Sequence, residues 1–113
     1  MVEKRTLVEG EGIAFADGVT ITQLSRGERL QGQIVEMAPD SRVDTHSHPN
    51  EQLTFAVQGT LSLIVDGEEI QLGAGESLLI PGGAEHAAVT EPDSSAVAFD
   101  VFSPPREGLP NVE

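Results

Sequence analysis

The chain has 113 residues and no cysteine, so it suits a single domain and can hold neither a disulfide framework nor a thiolate metal site. Nineteen acidic residues against six basic ones give a formal net charge of −13, which argues against nucleic acid and anionic membranes as partners. The N-terminus lacks the apolar run of a signal peptide and no stretch reaches the roughly 20 apolar residues of a membrane helix, so we expect a soluble, cytoplasmic protein.

Short runs rich in Val, Ile, Leu and Thr recur along the chain, separated by Gly, Pro and Asp, and no window has a sustained helical period. Many short strands at close spacing predict an all-β sandwich or closed barrel. Asp66-Gly67 has the composition of a two-residue hairpin turn between two of these runs. The predicted strands are residues 19–24, 30–38, 52–58, 60–65, 69–72, 77–80, 86–90 and 96–102.

The last predicted strand alternates. Val97, Phe99 and Val101 share one face, and if that face packs in the core, Asp100 and Phe102 line the interior of the barrel. Beyond Phe102 the pattern stops. Residues 103–113 contain three prolines, which cannot donate hydrogen bonds to a sheet, and are predicted to form an extended tail.

The three histidines of the chain form the clearest candidate for a metal site. His46 and His48 are two residues apart, a spacing that puts both imidazoles on one face of a strand, and Gln52 shares their parity. The alternate residues, Leu53, Phe55 and Val57, are then expected to point into apolar packing. His86 follows a Gly-Gly turn and opens another strand. Imidazole is the side chain most often found on divalent transition metals.

Two segments around these residues resemble the motifs of the cupin superfamily. Residues 46–59 read His-Ser-His, three residues, Gln52, six residues, Gly59, which is similar to the first cupin motif. Residues 75–86 read Gly, five residues, Pro-Gly-Gly, two residues, His86, which is similar to the second. Two departures are visible: Asp40 stands where the first motif usually opens with Gly, and Gln52 stands where many cupins have a Glu ligand.

The resemblance implies a single-domain jelly-roll β-barrel of six to eight strands. It also implies one divalent metal ion (Mn, Fe, Co, Ni or Zn) held by His46, His48, Gln52 and His86. Because all four ligands are neutral, the ion would be a strong Lewis acid and favour a small anionic substrate. Small cupins usually dimerise through N-terminal strands. We therefore expect residues 1–30 to form N-terminal strands and a homodimer contact, residues 31–102 the barrel, and residues 103–113 the tail.

A narrower resemblance lies at the end of the last strand. Residues 100–107 (DVFSPPRE), together with HSHPNEQ and LLIPGG, look like the pectin-degradation cupins that linearise unsaturated monouronic sugars to open-chain keto acids. That resemblance implies that Asp100 and Arg106 are the catalytic or substrate-contacting pair and that Phe102 shapes the pocket. Asn50 departs from it, since a His is often found at this position.

Two other functions remain open from the sequence. The same ligands could serve a metal-dependent dioxygenase acting on a small organic molecule, which would need a redox-active metal and consume oxygen. A non-catalytic cupin that binds a metal or a small acid would retain its affinity after Asp100 is replaced by Asn, whereas an enzyme would lose turnover.

Overall fold

The computed structural model describes residues 2–8 and 12–107, and the part of the predicted tail after residue 107 lies outside them. None of the described residues is in a helix, so this part of the chain contains no helix able to cross a membrane. The strands are β1 Ile13–Ala16, β2 Val19–Arg26, β3 Gln31–Met37, β4 Arg42–His46, β5 Glu51–Val65, β6 Glu68–Gly73, β7 Ser77–Ile80, β8 His86–Val89 and β9 Ala96–Ser103.

The nine strands of the described residues form a single antiparallel sheet that is bent into a nearly closed barrel, as the all-β jelly-roll prediction requires. The strand order is β1-β2-β3-β9-β5-β8-β4, with β6 and β7 also paired to β5. The first half of β5 pairs with β9 and β7, and its second half pairs with β6 and β8. This long strand therefore joins the two halves of the barrel.

Most predicted strands are present, but two were missed and two were merged. β1 and β4 were not predicted, because each is only four or five residues long and has no clear alternation of apolar and polar residues. Predicted strands 52–58 and 60–65 are both parts of β5. The Asp66-Gly67 turn is confirmed: both residues have positive φ, 48° and 85°, as a type I′ hairpin turn requires.

The predicted orientation of two apolar faces was wrong. Val97, Phe99 and Val101 point outward and are half-buried, whereas the opposite face of β9 is buried. Leu53, Phe55 and Val57 also point outward and are 40%, 38% and 43% exposed. The reason is that the inward face of the barrel combines apolar side chains at one end with polar ones at the other, so hydrophobicity alone does not identify the buried face of these strands.

Candidate metal centre

The four predicted ligands come from three strands and one loop of the barrel. His46 is the last residue of β4 and lies opposite His86, the first residue of β8, in the antiparallel register. His48 lies in the loop that connects β4 to β5, so the prediction that His46 and His48 share one strand was wrong. Gln52 is the second residue of β5 and points into the barrel.

The three imidazoles nevertheless converge. Ring centroids are 4.3 Å apart for His46 and His86, 4.9 Å for His48 and His86, and 5.8 Å for His46 and His48. One nitrogen from each ring lies within 4.8 Å of the others, so a small inward movement would bring them to the roughly 4 Å that two ligands of one ion can span. Three histidines thus lie close enough to hold a metal.

The orientation of each ring is fixed by a backbone carbonyl. Nδ1 of His46 lies 2.8 Å from the carbonyl oxygen of Asp44, and Nδ1 of His86 lies 2.9 Å from that of Ala84. Nδ1 of His48 lies 3.1 Å from the carbonyl oxygen of Asn50. A proton on Nδ1 that is donated to these oxygens leaves the Nε2 lone pair of each ring available as a ligand.

Two features of the predicted ligand set fit a bound cation. Within the described residues, Nε2 of His86 is buried and has no hydrogen-bond partner, which is costly for a polar atom unless another group satisfies it. Nε2 of His48 lies 3.0 Å from Oε1 of Gln52. If the proton of His48 is on Nδ1, two lone pairs face each other there, and a cation between them would remove the repulsion.

The electrostatic environment keeps the histidines neutral. Burial is the main cause that lowers the pKa of all three rings, and it brings the pKa of His86 to about 4. The positive charge of Arg106 lowers each of them further. Neutral imidazole is the form that binds metal, so near neutral pH the rings need not lose a proton before binding.

The Pro81-Gly82-Gly83 turn fixes the loop that carries His48. The amide of Gly83 donates a 2.8 Å hydrogen bond to the carbonyl oxygen of His48. A Cβ at Gly82 would lie 2.3 Å from the carbonyl oxygen of Pro49, so only glycine allows this close approach. The glycines of the second motif therefore hold the loop of the first, which explains structurally why the two segments occur together.

A hydrogen-bonded polar row lies beside the histidines. The register places Gln33 of β3, Asp100 of β9 and Thr54 of β5 next to one another on the inward face. Thr54 donates a 2.7 Å hydrogen bond to Oδ1 of Asp100, and the side-chain amide of Gln33 donates one of 3.0 Å to Oδ2. The side-chain amide of Gln52 in turn donates to Thr54 at 2.9 Å.

Asp100 is thus a buried carboxylate surrounded by donors. Burial raises its pKa, while the hydrogen bonds from Thr54, Gln33 and Gln52 and the charge of Arg106 act in the opposite direction. The predicted place of Asp100 and Phe102 in the interior agrees with the structure, since both line a cavity that His46 and His86 also line.

The described part of the tail closes one side of this cavity. Arg106 is 7% exposed, and the carbon at the centre of its guanidinium group lies 5.5 Å from the centre of the Phe102 ring. The same ring meets the edge of His48, with centroids 5.6 Å apart. The ring of Phe102 is therefore next to both His48 and Arg106, and Arg106 lines the same cavity as His46 and His86.

The enclosed space is small, about 50 Å³, and its inner end is apolar. This is well below the roughly 300 Å³ of a typical small-molecule pocket. A ring-sized ligand would therefore fit only if side chains that line the cavity moved to admit it.

Sequence reasoning missed three polar residues of this site. No role for Thr54 or Gln33 was predicted from the sequence, and Asn50 was identified only as a departure from a motif. The signal for Thr54 was its inward parity with Gln52. No comparable signal marks Gln33, because its contact with Asp100 joins residues 67 positions apart in the chain. Glu51, the neighbour of Gln52 in β5, is exposed.

Comparison with known proteins identifies the family of this chain. The model of the Cupin domain family (Cupin_2) matches residues 33–102, which include all four predicted ligands, Asp100 and Phe102. The dimethylsulfoniopropionate lyase DddW of Ruegeria pomeroyi is 29% identical over 108 residues, or 96% of this chain. The chain spans only 63% of the length of that relative.

Two solved structures have closely similar folds. KdgF from a Halomonas species superposes with a TM-score of 0.78 at 26% identity, covering 88% of this chain and 90% of that one. The polyketide cyclase RemF from Streptomyces resistomycificus superposes with a TM-score of 0.83 at 22% identity, covering 100% of this chain and 87% of that one. The second likeness supports the fold alone, because its sequence identity is low.

Proposed function

This chain belongs to the cupin family, and on that premise we propose that it is a metal-dependent isomerase that opens the ring of unsaturated monouronate sugars to give open-chain keto acids. The observation that carries the proposal is the convergence of three kinds of group on one cavity. These are the neutral nitrogen donors of the histidines, the buried carboxylate of Asp100 and the guanidinium of Arg106.

His46, His48, Gln52 and His86 would hold the ion, which we propose to be Mn, Fe, Co, Ni or Zn because the donors are nitrogen and oxygen atoms. When bound, a divalent ion supplies Lewis acidity that polarises a substrate oxygen. Gln52 donates its amide hydrogen to Thr54, which turns Oε1 toward the histidines, so its orientation fits a ligand role.

Arg106 and Phe102 would bind the substrate. A guanidinium can hold a carboxylate through two parallel hydrogen bonds, and the uronate carboxylate is the group of the substrate that requires such a partner. The ring of Phe102 lies beside both Arg106 and His48 and would form an apolar wall for the sugar. This arrangement places an anion-binding group in a protein whose formal net charge is −13.

Asp100 would transfer the proton. Ring opening of an unsaturated uronate is an isomerisation: the hemiacetal hydroxyl loses a proton, the ring carbon–oxygen bond breaks, and a carbon of the former double bond gains a proton. One carboxylate that accepts a proton and returns one is sufficient, and no other reactant is consumed. The opposing effects of burial and of hydrogen bonding on the pKa of Asp100 suit a group that must change its protonation state.

Two further observations support this proposal over the alternatives. The DVFSPPRE segment that resembles the pectin-degradation cupins is the segment that brings Asp100, Phe102 and Arg106 to the cavity. The fold also matches KdgF at 26% identity over 88% of the chain.

The direct test is to measure the metal content of the purified protein and then to screen unsaturated monouronates for loss of ring-ene absorbance. We expect the absorbance to fall, the reaction to stop when EDTA removes the metal, and activity to return on adding metal. No change with any uronate at any metal loading would overturn the proposal. Oxygen consumption by the iron-loaded protein would instead indicate the dioxygenase, and metal binding with no turnover a non-catalytic cupin.

A second candidate is a lyase acting on a small carboxylate. It is favoured by the 29% identity with the dimethylsulfoniopropionate lyase DddW over 96% of this chain. It is also favoured by the small cavity, which suits a short acid better than a sugar ring. Arg106 would again bind the carboxylate, and Asp100 would remove the proton next to it while the carbon–sulfur bond breaks and dimethyl sulfide leaves. Release of an alkene acid from dimethylsulfoniopropionate, with no reaction of uronates, would select this function.

We also propose that the protein is a homodimer. Leu53, Phe55 and Val57 of β5 and Leu79 of β7 lie side by side on the outer face of the barrel, each at least 38% exposed. Contiguous exposed apolar surface of this kind usually marks an interface. A second copy is the simplest partner, since an uncharged patch is where two chains of net charge −13 repel each other least. The contribution of residues 1–30 to the homodimer contact remains a prediction.

A further inference from the structure

Asn50 contacts two functional segments at once. Its backbone carbonyl oxygen lies 3.1 Å from Nδ1 of His48 and so orients a predicted metal ligand. Its side-chain amide donates hydrogen bonds of 2.5 Å to the carbonyl oxygen of Pro104 and 3.2 Å to that of Pro105. Asn50 is 7% exposed, whereas Pro104 is exposed and Pro105 half-buried, so these bonds are partly shielded from water.

After β9 ends, the backbone of the tail needs hydrogen-bond donors from side chains. β9 ends at Ser103, the last residue paired with β5, and the following two prolines have no N–H with which to extend the ladder. Their carbonyl oxygens can only accept hydrogen bonds. Asparagine has an NH₂ group with two donors on a short side chain, which suits it to hold two successive carbonyl groups.

Further along the tail, the backbone of Arg106 is also held by hydrogen bonds. Its amide donates a 2.8 Å hydrogen bond to Oε1 of Gln31, and its carbonyl oxygen accepts one of 2.7 Å from the guanidinium of Arg26. These contacts fix the position of the Arg106 backbone relative to the barrel. Within the described residues, the side chain of Asn50 joins Pro104 and Pro105 to the segment between the ligands His48 and Gln52.

We propose that Asn50 is a positioning residue that sets the place of the Arg106 guanidinium relative to the histidine cluster. This inference rests on the proposed function, in which Arg106 binds a substrate carboxylate while the same substrate meets the metal. The distance between carboxylate and reacting oxygen is fixed in the substrate, so the distance between Arg106 and the histidines must be fixed in the protein.

The first experiment does not depend on any activity. Amide hydrogen exchange at Arg106 is compared by NMR in the wild-type protein and in Asn50→Ala, Asn50→Asp and Ser47→Ala. Loss of two partly buried hydrogen bonds should speed exchange at Arg106 on the order of tenfold in Asn50→Ala. Asn50→Asp keeps the shape of the side chain but replaces the donors by acceptors that face two carbonyl groups. Exchange at Arg106 should therefore be at least as fast in Asn50→Asp as in Asn50→Ala. Ser47 is an exposed residue of the same loop, and its replacement should have no effect.

The second experiment measures steady-state kinetics with an unsaturated monouronate. Asn50→Ala should raise KM severalfold, with metal content unchanged, because the carbonyl group that faces His48 is part of the backbone and is retained. In the Arg106→Ala background, Asn50→Ala should cause no further rise in KM. A residue with a merely structural role would instead add its effect to that of Arg106→Ala.

Unchanged exchange at Arg106 in both Asn50 variants would overturn the proposal, as would an Asn50→Ala effect on KM that is additive with Arg106→Ala. If the wild-type protein does not turn over any uronate, the proposed function fails. The exchange result then decides by itself whether Asn50 holds Arg106 in place.

Discussion

The hydroxyl of Thr54 donates a hydrogen bond of 2.7 Å to Oδ1 of Asp100 and accepts one of 2.9 Å from the side-chain amide of Gln52. One hydroxyl thus connects the proposed proton-transfer group to a proposed metal ligand. The direction of the two bonds matters. When Gln52 presents Oε1 to the ion, its NH₂ group faces Thr54, and the hydroxyl proton of Thr54 is left for Asp100.

Replacing Asp100 by Asn should remove turnover while leaving the fold and the metal content intact. The amide cannot accept and return a proton, and general acid–base groups typically contribute 10²- to 10⁴-fold to the rate, so we expect kcat to fall by about that amount. The measurement is uronate turnover together with binding of a saturated uronate. Thr54→Val is a matched companion that removes one donor to the carboxylate, and it should reduce kcat less. Full activity of Asp100→Asn would exclude the proposed role.

Gln52→Glu should strengthen metal binding and weaken the binding of an anionic substrate. A carboxylate ligand neutralises part of the charge of the ion, which lowers its Lewis acidity and its attraction for anions. We expect a lower metal Kd by titration and a higher uronate KM. Glu51→Gln is the control, because Glu51 is the exposed neighbour of Gln52 and should affect neither quantity. Equal metal affinity in Gln52→Glu and wild type would argue against Gln52 as a ligand.

The metal-free protein should lose stability as the pH falls from about 6.5 to 4. Burial lowers the pKa of the three histidines in the folded state, that of His86 to about 4, whereas unfolded histidine titrates near 6.5. Between these values the unfolded state binds more protons, so the free energy of unfolding decreases with falling pH, for His86 by up to about 3 kcal/mol.

Protonation of Asp100 changes the free energy of unfolding in the opposite direction. Its folded pKa is raised, so the folded state takes up that proton first and gains stability as the pH falls through this pKa. Urea unfolding of EDTA-treated protein at several pH values measures the summed effect of the histidines and Asp100 on the free energy of unfolding. His86→Gln should reduce the slope between pH 6.5 and 4, and Asp100→Asn should make the loss of stability steeper wherever the folded protein takes up the Asp100 proton. A slope that His86→Gln leaves unchanged would contradict the assignment to His86.

Gly82→Ala should destabilise the protein and impair metal binding together. The added methyl group would overlap the carbonyl oxygen of Pro49, 2.3 Å away, and overpacking against backbone costs about 1–3 kcal/mol. Because this loop carries His48, metal affinity should fall as well. Gly73→Ala is the control, since the nearest atom to its Cβ would be the end of the Glu76 side chain, at 3.5 Å. Unfolding in denaturant and metal titration provide the two readouts.

Leu53→Glu should dissociate the proposed homodimer. A carboxylate in the centre of an apolar interface loses its hydration and faces its own copy across the two-fold axis, so we expect the dimer Kd to rise at least about tenfold. Sedimentation velocity at micromolar concentration measures the change. Gln71→Glu adds the same charge on exposed β6 and should leave the assembly unchanged. A wild-type protein that sediments as a monomer would refute the proposal.

The sequence by itself determined the class of fold and the identity of the convergent residues. Closely spaced strands separated by turn residues allow little besides an antiparallel barrel or sandwich, and the Asp66-Gly67 hairpin follows from local backbone preferences alone. The two spaced motifs also identified the histidines, because both the chemistry of a ligand and the short loops that present it are local in sequence.

Only the tertiary structure decided which faces of the strands are buried and which polar groups meet. Inward and outward faces of β5 and β9 both carry apolar residues, so alternation could not distinguish them. The outer apolar residues proved to be exposed on β5 and half-buried on β9. The hydrogen bonds of Gln33 to Asp100 and of Asn50 to Pro104 join residues 67 and 54 positions apart. Such pairs depend on strand order and register, which are set by the packing of the whole barrel and leave no local signal in the chain.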